Sequence, residues 1–284
     1  MHPLIYLNKS MLEASKARVA PVSSAMLYGR GVFTTLSVSG GRPFLWLEHW
    51  QRLKDHAEKL GVDSGEFSER SVREMLKKLI SVNRVVVGRA RVILLARSGC
   101  EIWKTKPDDG SKTDLLILTG DPQKSGEAEL TLAVSPFRIN TLSPTTGIKS
   151  LNYLEHVLSW EEAQKREFHE AVMLNERGEI ASATMANIFW VKDGTVHTPS
   201  LGTGALAGVT RAAVIKLAGK HSIPLVEGVY ELADLTEADE IFLTSSSLGA
   251  AIVTTFDFRQ YSVATAGVAG RIMKIYQNLV AEVS

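Results

Sequence analysis

Lys149 stands in "GIKSLN", at the end of the Pro/Gly-rich stretch "NTLSPTTGIKS" (140–150), and its flanking residues carry no charge. A lysine held against apolar neighbours loses the solvation of its ammonium, so its pKa falls and the free amine becomes a usable nucleophile. Such amines form Schiff bases with carbonyl compounds. The competing reading is an ordinary loop lysine. Two further stretches have the chemistry of an anion site. In "GALAGVTRAAV", Gly208, Val209 and Thr210 directly precede a helical pattern, and a helix N-terminus offers free N–H groups and a positive dipole end to a phosphate. Thr210 serves equally well as a plain N-cap. In "TSSSLG" (244–249), hydroxyls and flexible backbone follow a strand pattern, and a simple turn explains them too. Arg52, in "EHWQRL", lies among mixed charges that suit a solvated helix face. The glycines of "YGRGVF" (28–33) allow either a plain turn or a close backbone approach to a ligand.

Holding such groups in place takes strands and helices, and the sequence carries both patterns. "VFTTLSVSGGRPFLW" (32–46) is β-rich, with Gly-Gly as a hairpin turn. In "LEHWQRLKDHAEKLG" (47–61), Leu47, Trp50, Leu53, Ala57 and Leu60 have helical spacing and Gly61 ends the run. A second helix is predicted over 68–82, with strands over 85–99 and 113–120. The polar segment "DPQKSGEAE" (121–129) is the expected linker. Beyond it the pattern predicts a strand over 130–138, a loop over 140–150 and a helix over 151–168, with acids early and bases late as the dipole favours. Strands joined by turns follow over 170–200, then a helix over 210–221, and a strand running into a small-residue loop over 238–253. The result is an α+β or α/β architecture in two parts. A smaller N-terminal α/β domain spans 1–120, a linker spans 121–129, and a larger domain over 130–284 carries Lys149 and both loops.

With 45% apolar residues, the 284-residue chain supports one large domain or two ordinary ones. Lys+Arg 32 against Asp+Glu 31 leaves a charge of +1, so no basic field points to nucleic acid. The seven histidines have no metal-ligand spacing, and no zinc, nucleotide or G-x-S-x-G motif is present. With Cys100 as the single cysteine, no intramolecular disulfide can form, and a reducing, cytoplasmic compartment is expected. The start "MHPLIYLNKSM" lacks the pattern of a signal peptide, and no run approaches the roughly 18 to 20 apolar residues of a spanning helix. No membrane partner is expected.

Taken in order, "YGRGVFTT", "EHWQRL", "GIKSLNYLEHVL", "ANIFWVKDG", "GVTR" and "TSSS" resemble the class IV aminotransferase family of pyridoxal-phosphate enzymes. That family includes branched-chain aminotransferases, D-amino-acid aminotransferases and 4-amino-4-deoxychorismate lyases. The resemblance covers about residues 5–255, and "FTT", "SPFR", "GIKSLN" and "ANIFW" are most similar to the lyase forms. It implies the two-domain class IV fold, pyridoxal 5'-phosphate as cofactor, a small-molecule amino substrate, and a homodimer whose N-terminal loops help cover the partner's site. Carried over by motif, Lys149 is the Schiff-base lysine and Arg52 grips the cofactor phosphate. Val209 and Thr210 supply N–H and hydroxyl donors, and Ser245 or Ser246 do the same from the second loop. Tyr28 and Arg97 are expected substrate contacts.

The sequence departs from the family at two positions, Ser182 and Arg30. Most members carry a glutamate five residues before the asparagine of "N-[IV]-F", where it keeps the cofactor's pyridine nitrogen protonated. Here that asparagine is Asn187, so the matching residue is Ser182. Glu179 lies three residues earlier, an odd offset that puts it on the opposite face of a regular strand. A neutral pyridine is a poorer electron sink, which harms transamination most and an aromatising elimination least. Arg30 also replaces the acid of the "G-[DE]-G" motif and is expected to alter charge near the substrate entrance. The resemblance therefore implies a lyase that converts 4-amino-4-deoxychorismate to 4-aminobenzoate and pyruvate, a step of folate biosynthesis. Two alternatives stay open: an amino-acid transaminase of branched-chain or D-amino-acid type, and a cofactor-binding member with weak activity.

Overall fold

The structure, a computed structural model, describes residues 1–97, 113–122, 130–261 and 267–283. It divides into two compact units. One comprises Met1–Lys124, Ile148–Tyr153 and Val283–Ser284, and the other Ser125–Gly147 and Leu154–Glu282. Cys100 and all of the expected linker except Asp121 and Pro122 lie outside the described residues.

The first unit holds β1 (Leu4–Leu7), β2 (Ser10–Glu13), α1 (Ser24–Tyr28), β3 (Gly31–Ser39), β4 (Arg42–Pro43), α2 (Trp46–Lys59), α3 (Glu69–Val82), β5 (Gly88–Ala96) and β6 (Thr113–Gly120). Its strands form an antiparallel sheet in the order β2-β1-β6-β5-β3-β4. The period-2 alternation of β3 turns Val32, Leu36 and Val38 into a core shared with Trp50, Leu53 and Ala57 of α2 and Val72, Leu76 and Leu79 of α3. Each large side chain so buried contributes about 1.5–3 kcal/mol. The β3–β4 hairpin turns at Gly40 and Gly41, both at positive φ, as a tight primed turn requires. Helix α2 begins one residue earlier than its sequence pattern suggests: Trp46 is buried and Leu47 is exposed.

Residues 148–151 border β3. The Phe33 N–H donates to the Lys149 carbonyl and the Leu151 N–H to the Gly31 carbonyl, both at 3.0 Å, and Val32 bridges Ser150. The sequence pattern places Lys149 in the C-terminal domain, but these bonds make its segment part of the first unit. They also delay the helix expected over 151–168, which starts at Leu154. Only glycine fits at position 31, because a Cβ there would lie 2.6 Å from Leu151 and 2.7 Å from the Leu94 carbonyl.

The second unit contains β7 (Leu130–Ile139), α4 (Leu154–Lys165), β8 (Glu170–Asn175), β9 (Ile180–Ala183), β10 (Asn187–Lys192), β11 (Thr195–Pro199), α5 (Val209–Lys220), β12 (Leu225–Gly228), α6 (Leu232–Thr236), β13 (Glu240–Ser245), β14 (Gly249–Phe256), β15 (Arg259–Gln260) and α7 (Val268–Val283). The sheet order is β12-β11-β10-β13-β14-β7-β8-β9, with β15 on β14. One face builds a core from Val172, Leu174, Ile180, Ile188, Trp190, Ile241 and Leu243. The small-residue loop expected after residue 245 is only a short turn, since Gly249–Phe256 forms a full strand paired with β13. Among the described residues, no helix is long and apolar enough to cross a membrane, and no cluster of side chains could hold a metal ion.

Candidate active site

The Lys149 amine lies over two aromatic rings, with Nζ 4.6 Å from the Phe33 centroid and 4.5 Å from that of Tyr153. It donates to the Tyr153 hydroxyl at 3.2 Å. Burial first, then the charges of Arg52 and Arg91, push its pKa down to about 7. Near neutral pH a large fraction of Lys149 is therefore free amine, the form that attacks a carbonyl. Tyr153 and Arg91 are functional candidates that the sequence reading missed. Tyr153 lies four residues from Lys149, and its ring meets Phe33 edge-on at 5.4 Å. The Arg91 guanidinium lies 4.8 Å from the Phe33 centroid, and its Nε donates to Thr35 Oγ1 at 3.0 Å. The signal was available: in "GRARV" the strand period puts Arg89 and Arg91 on one face, opposite Ser37 and Thr35 of β3.

Helix α2 supplies the other side of this region. His49 and His56 belong to its buried stripe, and Arg52 falls between them at helical spacing, half-buried. Arg52 Nη2 donates to Thr34 Oγ1 at 3.0 Å, and that hydroxyl contacts His49 Nδ1 at 2.7 Å. Burial, then the charges of Arg52 and Lys149, hold His49 well below its usual pKa, so it is neutral. Burial lowers Arg52 to about 10, against an opposing effect of Tyr153, and it stays cationic at neutral pH.

Other expected residues are placed differently. Tyr28 ends α1 in an exposed position. Arg97 pairs with Asp114 at 3.6 Å, and no contact joins it to Lys149 among the described residues. Arg30 is tied to the end of α2: its guanidinium donates to the Leu60 and Gly61 carbonyls at 3.0 Å each.

In the second unit, α5 begins at Gly208 with no side-chain cap, so its first N–H groups have no capping side chain. Thr210 Oγ1 lies 3.5 Å from Ser246 Oγ. Ser245 Oγ instead accepts the Leu248 N–H at 3.2 Å and shapes the β13–β14 turn. Asn187 holds the loop ahead of α5 by donating from Nδ2 to the Leu206 carbonyl at 2.9 Å. A Cβ on Gly208 would come within 2.0 Å of Asn187 Oδ1, so this approach requires glycine. Thr244 is paired with Asn187 across the sheet, and its buried hydroxyl has no hydrogen-bond partner among the described residues.

Ser182 is 6% exposed and pairs with Met173. Between Ile180 and Ser182 the register slips by one residue: Met173 faces Ser182 while Leu174 faces Ile180. This bulge breaks the strict alternation on which the parity of Glu179 and Ser182 rests, so the three-residue offset no longer fixes the face of Glu179. The Glu179 carboxylate is nonetheless engaged elsewhere. Asn175 Nδ2 and Arg177 Nη2 both donate to it at 2.6 Å.

Glu170, also missed in the sequence, is a buried acid at the start of β8. It accepts the backbone N–H of Thr184 at 3.0 Å and of Met185 at 3.1 Å, and so holds the turn between Ser182 and Asn187. Burial raises its pKa to about 7, against the lowering effect of hydrogen bonds from Thr184, Ala171 and Met185. A carboxyl whose folded pKa exceeds its unfolded value adds stability below the unfolded pKa and loses it as pH rises through the folded one. Between pH 5 and pH 8 the protein should therefore lose up to about 3 kcal/mol through this residue. Urea denaturation at both pH values measures the loss, and Glu170→Gln should remove most of it. Parallel pH profiles for wild type and variant would contradict the assignment.

Each unit, taken by itself, carries groups whose chemistry fits a part of pyridoxal 5'-phosphate. Lys149 offers an amine that is free near neutral pH. The uncapped α5 N-terminus, the Thr210 and Ser246 hydroxyls and the orphaned Thr244 hydroxyl offer the donors a phosphate needs.

Comparison with known proteins agrees. The model of the family described as amino-transferase class IV matches residues 31–256. The chain is 33% identical over 256 residues to a Methanocaldococcus jannaschii protein described as a candidate branched-chain-amino-acid aminotransferase, covering 89% of this chain and 87% of that one. It is 32% identical over 252 residues to the aminodeoxychorismate lyase of Bacillus subtilis, covering 86% and 84%. The branched-chain amino acid aminotransferase of Escherichia coli has the same fold, with a TM-score of 0.90 at 28% identity over 99% of this chain and 95% of that one. By sequence, fold and the chemistry of its residues, the chain belongs to the class IV aminotransferase family of pyridoxal 5'-phosphate enzymes.

Proposed function

We propose that the protein is a pyridoxal-phosphate-dependent lyase that converts 4-amino-4-deoxychorismate to 4-aminobenzoate and pyruvate. The observation that carries this reading is the neutral Ser182 at the position of the family's acid, with Glu179 tied to Asn175 and Arg177. When bound, the cofactor supplies an electron sink for the substrate carbon that bears the amine. Lys149 would hold the cofactor through its amine and would serve as the base that takes the proton from that carbon. The C–O bond to the enolpyruvyl group then breaks, the ring becomes aromatic, and Lys149 returns the proton to the departing enolpyruvate, which tautomerises to pyruvate. Because aromatisation drives the step, the reaction depends less on a charged partner for the pyridine nitrogen.

Arg52, Val209, Thr210 and Ser246 hold the phosphate in this reading, with Ser245 shaping the loop that carries Ser246. Arg91 suits a substrate carboxylate, because a planar guanidinium binds one through two parallel hydrogen bonds. Arg91 replaces Arg97 as the expected substrate contact, and the chain works as a homodimer in the cytoplasm. The second reading, an amino-acid transaminase, draws support from the likeness to branched-chain aminotransferases. Amino donors separate the two. A transaminase converts its bound cofactor to the amine form when given an amino acid, with loss of the visible band. The lyase keeps that band with branched-chain and D-amino acids.

A further inference from the structure

The main chain at Lys149 is held in an unusual way. Residues 148 to 150 form a tight three-residue turn, in which the Ser150 N–H donates to the Ile148 carbonyl at 2.9 Å. The Lys149 carbonyl accepts from Phe33 of β3. A longer antiparallel ladder would give the Lys149 N–H back to the Phe33 carbonyl and flatten the turn. Instead that N–H crosses to α2 and donates to His56 Nδ1 at 2.9 Å.

We propose that His56 is a positioning residue for Lys149: its neutral Nδ1 accepts the Lys149 main-chain N–H and locks the turn that aims the amine to the helix carrying Arg52. The functional importance of that amine rests on the reading of Lys149 given above. The bond fixes the imidazole tautomer, since an Nδ1 that accepts has no proton and Nε2 must carry it. His56 lies one helical turn beyond Arg52, so one rigid element positions both groups.

The choice of acceptor has a chemical reason. A carboxylate at this position would also accept the N–H, but its charge would favour the ammonium form of Lys149 and oppose the lowered pKa. An imidazole accepts without a counter-charge. The charged groups that act on it are Arg52, Asp55 and Lys59 of α2 and Lys149 itself. Burial, then Arg52 and Lys59, hold His56 at about 4 against the opposing pull of Asp55, so the accepting form persists through neutral pH.

Nitrogen-15 NMR of the imidazole, on full-length protein without added cofactor, tests the tautomer directly. An unprotonated Nδ1 and a protonated Nε2 are expected from pH 5.5 to 8. A protonated Nδ1 overturns the proposal, and this measurement needs no variant to fold. Hydrogen exchange at the Lys149 amide should speed up by about tenfold in His56→Ala, the scale of one net hydrogen bond. His56→Asn, whose Oδ1 replaces Nδ1 as an acceptor, should restore most of the protection. His56→Asp should also restore it, but should raise the pH at which the Lys149 amine becomes reactive toward an acylating reagent. Unchanged exchange in the alanine variant, or an asparagine variant that behaves like alanine, overturns the proposal. None of these readouts uses the cofactor, so they stand apart from the assignment of Lys149 as its anchor. That assignment fails separately if Lys149→Ala still binds the cofactor covalently.

Discussion

Lys149→Ala abolishes covalent retention of the cofactor and lowers turnover by about ten-thousandfold. The size follows from two losses at one atom. The variant has no amine to capture the cofactor's carbonyl, and no base or acid at the reacting carbon. Positioned proton transfer alone contributes about a hundred- to ten-thousandfold. Neighbouring groups do not take over. His49 and His56 are buried and neutral, but each is engaged, His49 with Thr34 and His56 with the Lys149 main chain. Arg91 and Arg52 are cations and cannot accept a proton. Lys149→Arg does not rescue, because a guanidinium stays charged at neutral pH. Gel filtration of the loaded variant should separate protein from all visible absorbance, whereas the wild type carries its band through the column. Turnover that survives in the alanine variant would refute the role.

Ser182→Glu raises the rate at which an amino donor discharges the cofactor by about ten- to a thousandfold. A carboxylate beside the pyridine nitrogen raises that nitrogen's pKa by about 1–3 units, and each unit is worth about 1.4 kcal/mol. That is about 1–4 kcal/mol of preference for the protonated ring, the form that better stabilises a carbanion. Transamination gains most, because it must store the electron pair on the ring, while the lyase reaction gains little. The substitution has a cost. Ser182 is 6% exposed, and a carboxylate there without its cofactor partner is a buried charge, so the unloaded variant should be less stable than wild type. Cofactor binding should recover that loss. Rapid mixing of loaded wild type and variant with branched-chain and D-amino acids measures the effect. Equal rates in the two proteins would show that position 182 does not set the reaction class.

The parts of the site that sequence could reveal are those whose signals are local. Lys149 stands out because its neighbours in sequence are uncharged, and Thr210 because a glycine-led helix start is written in consecutive residues. The parts it could not reveal depend on partners far along the chain. His56 is an ordinary helix residue until its Nδ1 meets an amide 93 residues away. Arg91 gains meaning only through Phe33 and Thr35 on the neighbouring strand. Glu170 opens an apolar strand and looks like a boundary residue, yet it satisfies N–H groups 14 and 15 positions ahead. The bulge near Ala181 carries no glycine or proline to announce it, and it removes the alternation by which a face could be assigned to Glu179. Likewise, the place of Lys149 in the first unit follows from bonds to β3 that a linear reading of domains cannot foresee.

In the proposed reaction, Lys149 and a neutral Ser182 run an aromatising elimination rather than an amino transfer. The most direct test gives purified, cofactor-loaded protein 4-amino-4-deoxychorismate, with no keto acid present, and measures both products over many turnovers. 4-Aminobenzoate and pyruvate are expected in equal amounts, with the visible band retained throughout. Absence of both products, together with rapid bleaching of the band by an amino acid, would contradict it.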